Sequence, residues 1–183
     1  NDWKKGGHGE VDMIKAIAVS CDTFFYGLGI ELGIPKLNIV LKRYGFGERT
    51  NIDMPNEKKG LIASSQWKQE KYKKKWFLGE TAITAIGQGY TLSTPIQLAL
   101  ATAKLINPDI IKPKLLRQSP LPNYMQKNKA QLITNKNDIS NVIDIENQDI
   151  DIIKRGMQLV TKEGGTASFL GRTSRYDISA KTG

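Results

Sequence analysis

Ser20-Cys21-Asp22-Thr23-Phe24-Phe25-Tyr26 marks a break between two apolar runs of helical period. Val11, Ile14, Ile17 and Ala18 lie before the break; Phe24, Phe25, Leu28 and Leu32 lie after it. Residues three and four apart share a helix face, so each run predicts an amphipathic helix. Ser20 and Asp22 carry short polar side chains that compete for backbone hydrogen bonds and favour caps and turns. The stretch therefore predicts helix, tight polar turn, helix. Two readings of the turn stay open. Ser20 or Asp22 caps the second helix, or the junction holds a hydroxyl and a carboxylate for chemistry.

The chain has 183 residues and is 39% apolar, enough for one domain with its own core. It holds no uninterrupted apolar run of about 18 residues, so no membrane crossing is expected within it, and no signal peptide is recognised. It starts at Asn1 and stops at Gly183 inside an expected strand, which reads as a piece of a longer protein. The single cysteine excludes an intrachain disulfide framework. Net charge is +9, with Lys68, Lys71, Lys73, Lys74 and Lys75 in one segment. Such a patch suits nucleic acid or an anionic membrane. No stacking module or nucleic-acid motif accompanies it, so it reads as a solvated lysine face with no nucleic-acid partner.

Along the chain, the second helix should end near Gly33. Pro35 can start a third, carrying Leu37, Val40 and Leu41 and stopping at Tyr44-Gly45. Residues 46–75 read as irregular. Gly87-Gln88-Gly89 suits close backbone packing near a functional surface. Thr94 and Pro95 open a helix with Ile96, Leu98, Ala99, Leu100, Ala103 and Leu105; being apolar nearly all round, it should be buried. Residues 149–159 form the next helix, 161–167 a Gly-rich turn, and Tyr176 to Lys181 a strand. The fold class is α+β, a mainly helical part beside an antiparallel sheet. As domains, residues 1–107 are mainly helical, 108–148 an extended insert, and 149–183 a helix and the strand that carries Lys181-Thr182-Gly183.

Two features bear on Ser20. Lys181-Thr182-Gly183 offers an ammonium, a hydroxyl and a side-chain-free residue, which suit a carboxylate-bearing peptide laid along a sheet edge. Thr161-x-x-Gly164-Gly165-Thr166-Ala167 precedes that strand. The ordered set of serine turn, Gly-Gln-Gly, Thr-Pro-led helix, Gly-Thr-Ala turn and Lys-Thr-Gly is far more specific than any part.

In that order the chain resembles the penicillin-recognising serine transpeptidases, whose motifs are Ser-x-x-Lys, Ser-x-Asn and Lys-Ser/Thr-Gly. Ser20-Cys21-Asp22 matches the second, with Asp in place of Asn, and Lys181-Thr182-Gly183 matches the third. The likeness is strongest to the subgroup that serves cell elongation. Asp2-Trp3-Lys4-Lys5, Gly7-His8-Gly9, Trp67-Lys68-Gln69, Gly87-Gln88-Gly89-Tyr90 and Thr94-Pro95-Ile96-Gln97 carry it. It runs nearly end to end and is weakest over 112–148.

The resemblance implies a truncated β-lactamase-like fold and serine D,D-transpeptidase chemistry, with peptidoglycan stem peptides cross-linked by acyl transfer. It implies that Ser20 relays a proton and that Asp22 positions a side-chain amide of the peptide. Lys181 and Thr182 would bind the carboxylate of a D-alanyl-D-alanine stem or a β-lactam, and Gly183 would admit its backbone. Partners implied are a glycan-polymerising membrane protein and the elongation complex, at the periplasmic side of the inner membrane. No cofactor is needed for catalysis. The rival readings are a non-enzymatic sensor or scaffold that kept the cleft, and a D,D-carboxypeptidase or β-lactamase.

The nucleophilic motif is not found in the expected order. Ser65-Gln66-Trp67-Lys68 fits the spacing but follows the second motif, and it lies in the lysine-rich segment rather than at the start of a buried helix. The nucleophile and its lysine are therefore expected ahead of Asn1. Asp2, His8 and Cys21 are zinc-ligand types that flank one short helix, and some members of the resembled subgroup carry a structural zinc. A fourth ligand would lie upstream. The other reading is a buried free cysteine beside a solvated histidine.

Overall fold

The computed structural model describes residues 2–107, 112–115 and 146–183. The expected insert at 108–148 lies almost wholly outside them. The chain divides into two compact units.

The first unit comprises residues 1–40, 62–91 and 145–183. Helix α1 (Met13–Ala18) is capped by Asp12, whose carboxylate accepts from the Lys15 amide at 2.7 Å. Helix α2 (Asp22–Arg43) breaks at Gly33, where φ is 75° and ψ 157°, two residues before Pro35. The expected stop and restart are therefore both present. One 18-residue window of α2 reaches a mean hydropathy of 1.3, long and apolar enough to cross a membrane by length and composition. The break at Gly33 interrupts that stretch, and a membrane offers no water to satisfy the freed backbone groups.

Helix α3 (Ser65–Tyr72), capped by Ser64, occupies part of the segment expected to be irregular. The lysines hid it, because its one fully covered side chain is itself a lysine, Lys68 at 3% exposure. The Lys68 ammonium pairs with Glu80 and lies 4.7 Å from the Phe77 ring centre. Helix α4 (Leu78–Ala85) packs closely on α2, since a Cβ at Gly29 would meet Ala85 Cβ at 2.3 Å. It ends where Gly87 adopts φ 77°, with Gly87 N–H donating to Thr84 O and Gln88 N–H to Ile83 O. That is a Schellman stop. The expected close approach at Gly87 is absent, as a Cβ there would meet nothing within 4 Å.

Helices α6 (Asn147–Leu159) and α7 (Ser168–Thr173) complete this unit. Ile17, Val160 and Ala167 form its core, joined by Met13, Phe25, Ile153, Met157, Leu170 and Ala180. Helices α1 and α6 touch where Gly156 faces Ile17, whose side-chain carbons lie 2.9–3.1 Å from an added Cβ. The run from Tyr176 to Lys181 forms no strand among the described residues. It is tied to α6 instead: Ala180 N–H donates to Met157 O at 3.0 Å, and Thr161 Oγ1 donates to Ile178 O at 2.7 Å. A strand needs a neighbouring strand to pair with, and the described residues hold none for this run.

The second unit comprises residues 41–61 and 92–144. It takes in the end of α2, stopped by Gly45 at φ 94° with Phe46 N–H on Leu41 O and Gly45 N–H on Lys42 O. Helix α5 (Pro95–Ile106) has the expected Thr94 cap, completed by Gln97. Leu61 and Leu92 form an isolated antiparallel bridge. Gln97 is 1% exposed and fully engaged: its amide donates to Glu48 O and Lys59 O and accepts from the Thr94 amide. The expectation that α5 is buried all round does not hold among the described residues. Leu100 and Ala101 are covered, while Leu98 is 57% exposed.

Candidate functional site

The end of α1 is stopped by the same pair of hydrogen bonds that Gly87 and Gly45 make. Cys21 N–H donates to Ala16 O at 2.9 Å and Ser20 N–H to Ile17 O at 3.3 Å. Here the left-handed position is held by Ser20, at φ 51°. Only glycine takes that conformation freely; a serine costs about 1 kcal/mol or more. The Ser20 hydroxyl is thus present at a position where the backbone alone would favour glycine.

The remaining carbonyls of this helix end are all engaged. Ala18 O accepts from the Thr166 amide at 3.2 Å. Val19 O and Ser20 O accept from the Trp3 indole at 3.2 and 2.9 Å. A helix end whose orphan carbonyls are satisfied by fixed neighbours is rigid. Trp3 and Thr166 therefore clamp the serine turn from two sides.

The hydroxyl of Ser20 meets Lys181 and Thr182. Lys181 Nζ donates to Ser20 Oγ at 2.7 Å and to the Thr182 carbonyl at 2.5 Å. Thr182 Oγ1 lies 2.8 Å from Ser20 Oγ and 2.8 Å from Thr166 Oγ1. Ser20, Thr166 and Thr182 are half-buried and Lys181 is exposed, so the ammonium and hydroxyls line a surface that solvent and a ligand reach. Partial burial pulls the Lys181 ammonium below the usual lysine value, and the Asp22 charge opposes this. Asp22 is the first residue of α2, where a negative charge suits the helix dipole.

Behind the turn sits the second group of expected residues. Cys21 is 2% exposed, and its thiol donates to Asp2 Oδ2 at 3.2 Å. The Thr23 hydroxyl donates to the same oxygen at 3.1 Å. His8 Nδ1 lies 3.1 Å from it, yet the nitrogen is buried without a hydrogen-bond partner. The His8 side chain is 4% exposed, so the solvated histidine of the alternative reading is not what the fold shows. Burial pushes the Asp2 carboxyl up, but the Cys21 thiol, the Lys4 amide, His8 and Thr23 together hold it well below the usual carboxylate range. The ligand atoms of Asp2, His8 and Cys21 lie within 4.8 Å of one another.

The Ser65-x-x-Lys68 match does not make a nucleophile and base. Ser65 is exposed, and the Lys68 ammonium is taken by Glu80. Thr166 and Trp3 join the site in the structure although neither carries an expected role from the sequence. Thr166 was legible in the Gly164-Gly165-Thr166-Ala167 turn, but nothing local in the sequence says that Trp3 reaches back to the serine turn.

Comparison with known proteins adds to this geometry. The profile of the penicillin binding protein transpeptidase domain matches residues 1–183. Peptidoglycan D,D-transpeptidase MrdA of Acinetobacter baumannii is 39% identical over 184 residues, covering 100% of this chain and 26% of that protein. A structure of PBP2 from Pseudomonas aeruginosa superposes with a TM-score of 0.79 at 36% identity, covering 100% of this chain and 40% of that one. A complex of PBP2 and MreC from Helicobacter pylori gives 0.78 at 33% identity, with 100% and 32% covered. The chain thus spans well under half the length of each of these three proteins.

Proposed function

Because this chain belongs to the penicillin-binding protein transpeptidase family, we propose that it is the part of a peptidoglycan D,D-transpeptidase that holds the substrate carboxylate and relays the proton. The observation that carries this is the Lys181–Ser20–Thr182 cluster, with bonds of 2.7 and 2.8 Å. Lys181 and Thr182 present an ammonium and a hydroxyl to the terminal carboxylate of a D-alanyl-D-alanine stem or a β-lactam. The ammonium stabilises negative charge on Ser20 Oγ, which suits Ser20 to pass a proton between the attacking serine and the leaving amine. Asp22, beside this cluster, positions a side-chain amide of the donor peptide, and Gly183, with no side chain, lets its backbone approach. The attacking serine and its lysine base belong to residues outside these 183.

The protein acts at the periplasmic face of the inner membrane, where stem peptides are cross-linked, together with a glycan-polymerising membrane protein and the elongation complex. The Helicobacter pylori relative was solved with MreC, which supports a partner of that kind here. The test is penicillin acylation of the full-length protein. Ser20→Ala, Lys181→Ala and Thr182→Val each slow acylation by about a hundredfold. Wild-type rates in all three would overturn the roles given to these residues, and no acylation of the wild-type protein would leave a scaffold as the better reading.

A second reading is a structural zinc ion on Asp2, His8 and Cys21, and the residues fit it. The donor set is one that zinc accepts, and Asp2 Oδ2 lies 3.2 Å from the thiol and 3.1 Å from the imidazole nitrogen. His8 Nδ1 is buried against the same carboxylate oxygen that the thiol meets, so the three donor atoms gather at one place. A metal would brace the serine turn through Cys21 and take no part in acyl transfer. Elemental analysis of the full-length protein tests this. Zinc-free protein, with stability unchanged by Cys21→Ser, would rule it out.

A further inference from the structure

Thr166 sits inside the hydroxyl cluster, and the reading above gives it no task. Its Oγ1 lies 2.8 Å from Thr182 Oγ1 and 3.4 Å from Ser20 Oγ. Its backbone is fixed independently of any ligand. The Thr166 amide donates to Ala18 O, and the Ala167 amide to Val160 O at 2.9 Å. Gly164 supplies φ 82°, and Gly165 runs so close to α6 that a Cβ would lie 2.2 Å from Leu159 O. Helices α1 and α6 therefore place this hydroxyl.

Proton counting gives it a role. An ammonium only donates, so Lys181 occupies one acceptor site on Ser20 Oγ. A hydroxyl has a single proton and two acceptor sites. A carboxylate only accepts, so Thr182 must spend its one proton on the substrate. Thr182 Oγ1 is then left to accept from its neighbours. Ser20 can donate to it at rest, but not while its proton is being relayed. Thr166 is the other neighbour within 2.8 Å.

We infer that Thr166 is a positioning residue for acyl transfer: its hydroxyl donates to Thr182 Oγ1, turning the Thr182 proton towards the substrate carboxylate and leaving the Ser20 proton free to move. This rests on the assignment of Ser20, Lys181 and Thr182 to substrate binding, and the experiment separates the two.

The full-length protein is acylated with penicillin, and the non-covalent dissociation constant is resolved from the acylation rate constant. Thr166→Val keeps the shape and removes the hydroxyl; Thr166→Ser keeps the hydroxyl. Thr166→Val weakens non-covalent binding about tenfold, and Thr166→Ser binds as wild type. With a penicillin whose carboxylate is esterified, Thr166→Val causes no further loss, which a merely structural role would not produce. Wild-type binding by Thr166→Val, or equal weakening in Thr166→Ser, overturns the inference. So does an equal loss with the ester. Should Thr166→Val fail to fold, Thr166→Ala, which also removes the hydroxyl, takes its place on the same criteria. Ser20→Ala and Thr182→Val are measured alongside. If they impair acylation and Thr166→Val does not, only the role of Thr166 fails; if they too are without effect, the site assignment fails.

Discussion

Lys181 Nζ lies 2.7 Å from Ser20 Oγ, across 161 positions of sequence. Partial burial holds the Lys181 ammonium below the usual lysine value of 10.5, and the Asp22 charge resists that shift. Only the charged form binds a carboxylate, so acylation falls as pH rises through the lowered value. The alkaline limb of the acylation profile therefore lies below pH 10.5. Asp22→Asn removes the opposing charge and moves the limb to lower pH; Lys181→Arg, whose guanidinium stays charged, moves it higher. The pH dependence of penicillin acylation in the full-length protein checks both directions.

Ser20 is held at φ 51°. Ser20→Gly and Ser20→Ala lose the same hydroxyl, but only alanine keeps the backbone cost. The glycine variant is expected to be more stable than the alanine variant by about 1 kcal/mol. Both are impaired in acylation. Chemical denaturation of the two variants measures the difference, and equal stabilities would contradict the strain.

The Lys68–Glu80 pair makes a prediction about pH and about labelling. Burial pushes the Glu80 carboxyl up, but hydrogen bonds from Lys68 and the Phe77 amide outweigh it and lower its value in the fold. A lowered carboxylate contributes stability above its unfolded value, and that stability is lost as pH falls through the folded value. Glu80→Gln flattens this acid limb and costs about 3 kcal/mol at neutral pH, because a buried ammonium loses its partner. Since Glu80 occupies Lys68, fluorescent penicillin does not label Ser65. Denaturation across pH and peptide mapping test the two statements.

Gly156 faces Ile17 with no room for a methyl group. Gly156→Ala is expected to destabilise by about 1–3 kcal/mol through overpacking at the α1–α6 contact. Combining it with Ile17→Ala should recover part of that loss, read as a positive coupling in a double-mutant cycle.

The serine turn was legible because an apolar period of 3.6 residues broke at two short polar side chains. The stops at Gly33 and Gly45 and the Thr94-Pro95 start of α5 followed from local backbone chemistry. Helix α3 was missed because its buried face is a lysine paired with Glu80, and charge in a sequence reads as surface. The run from Tyr176 to Lys181 alternates like a strand, yet alternation states a preference and not a partner. Lys181 and Thr182 were found by their likeness to a family motif. The turn that carries Thr166 was legible as a motif, but its contact with Ala18 was not, and neither was that of Trp3 with Val19 and Ser20, because no spacing rule encodes contacts with the end of α1.

The most direct measurement is a crystal structure of the full-length protein acylated by a penicillin. The account predicts the drug carboxylate within hydrogen-bond distance of Thr182 Oγ1, with Lys181 and Ser20 beside it and the acyl group on a serine outside these 183 residues. An acyl group on Ser20 or Ser65, or a carboxylate bound away from Lys181 and Thr182, would contradict it.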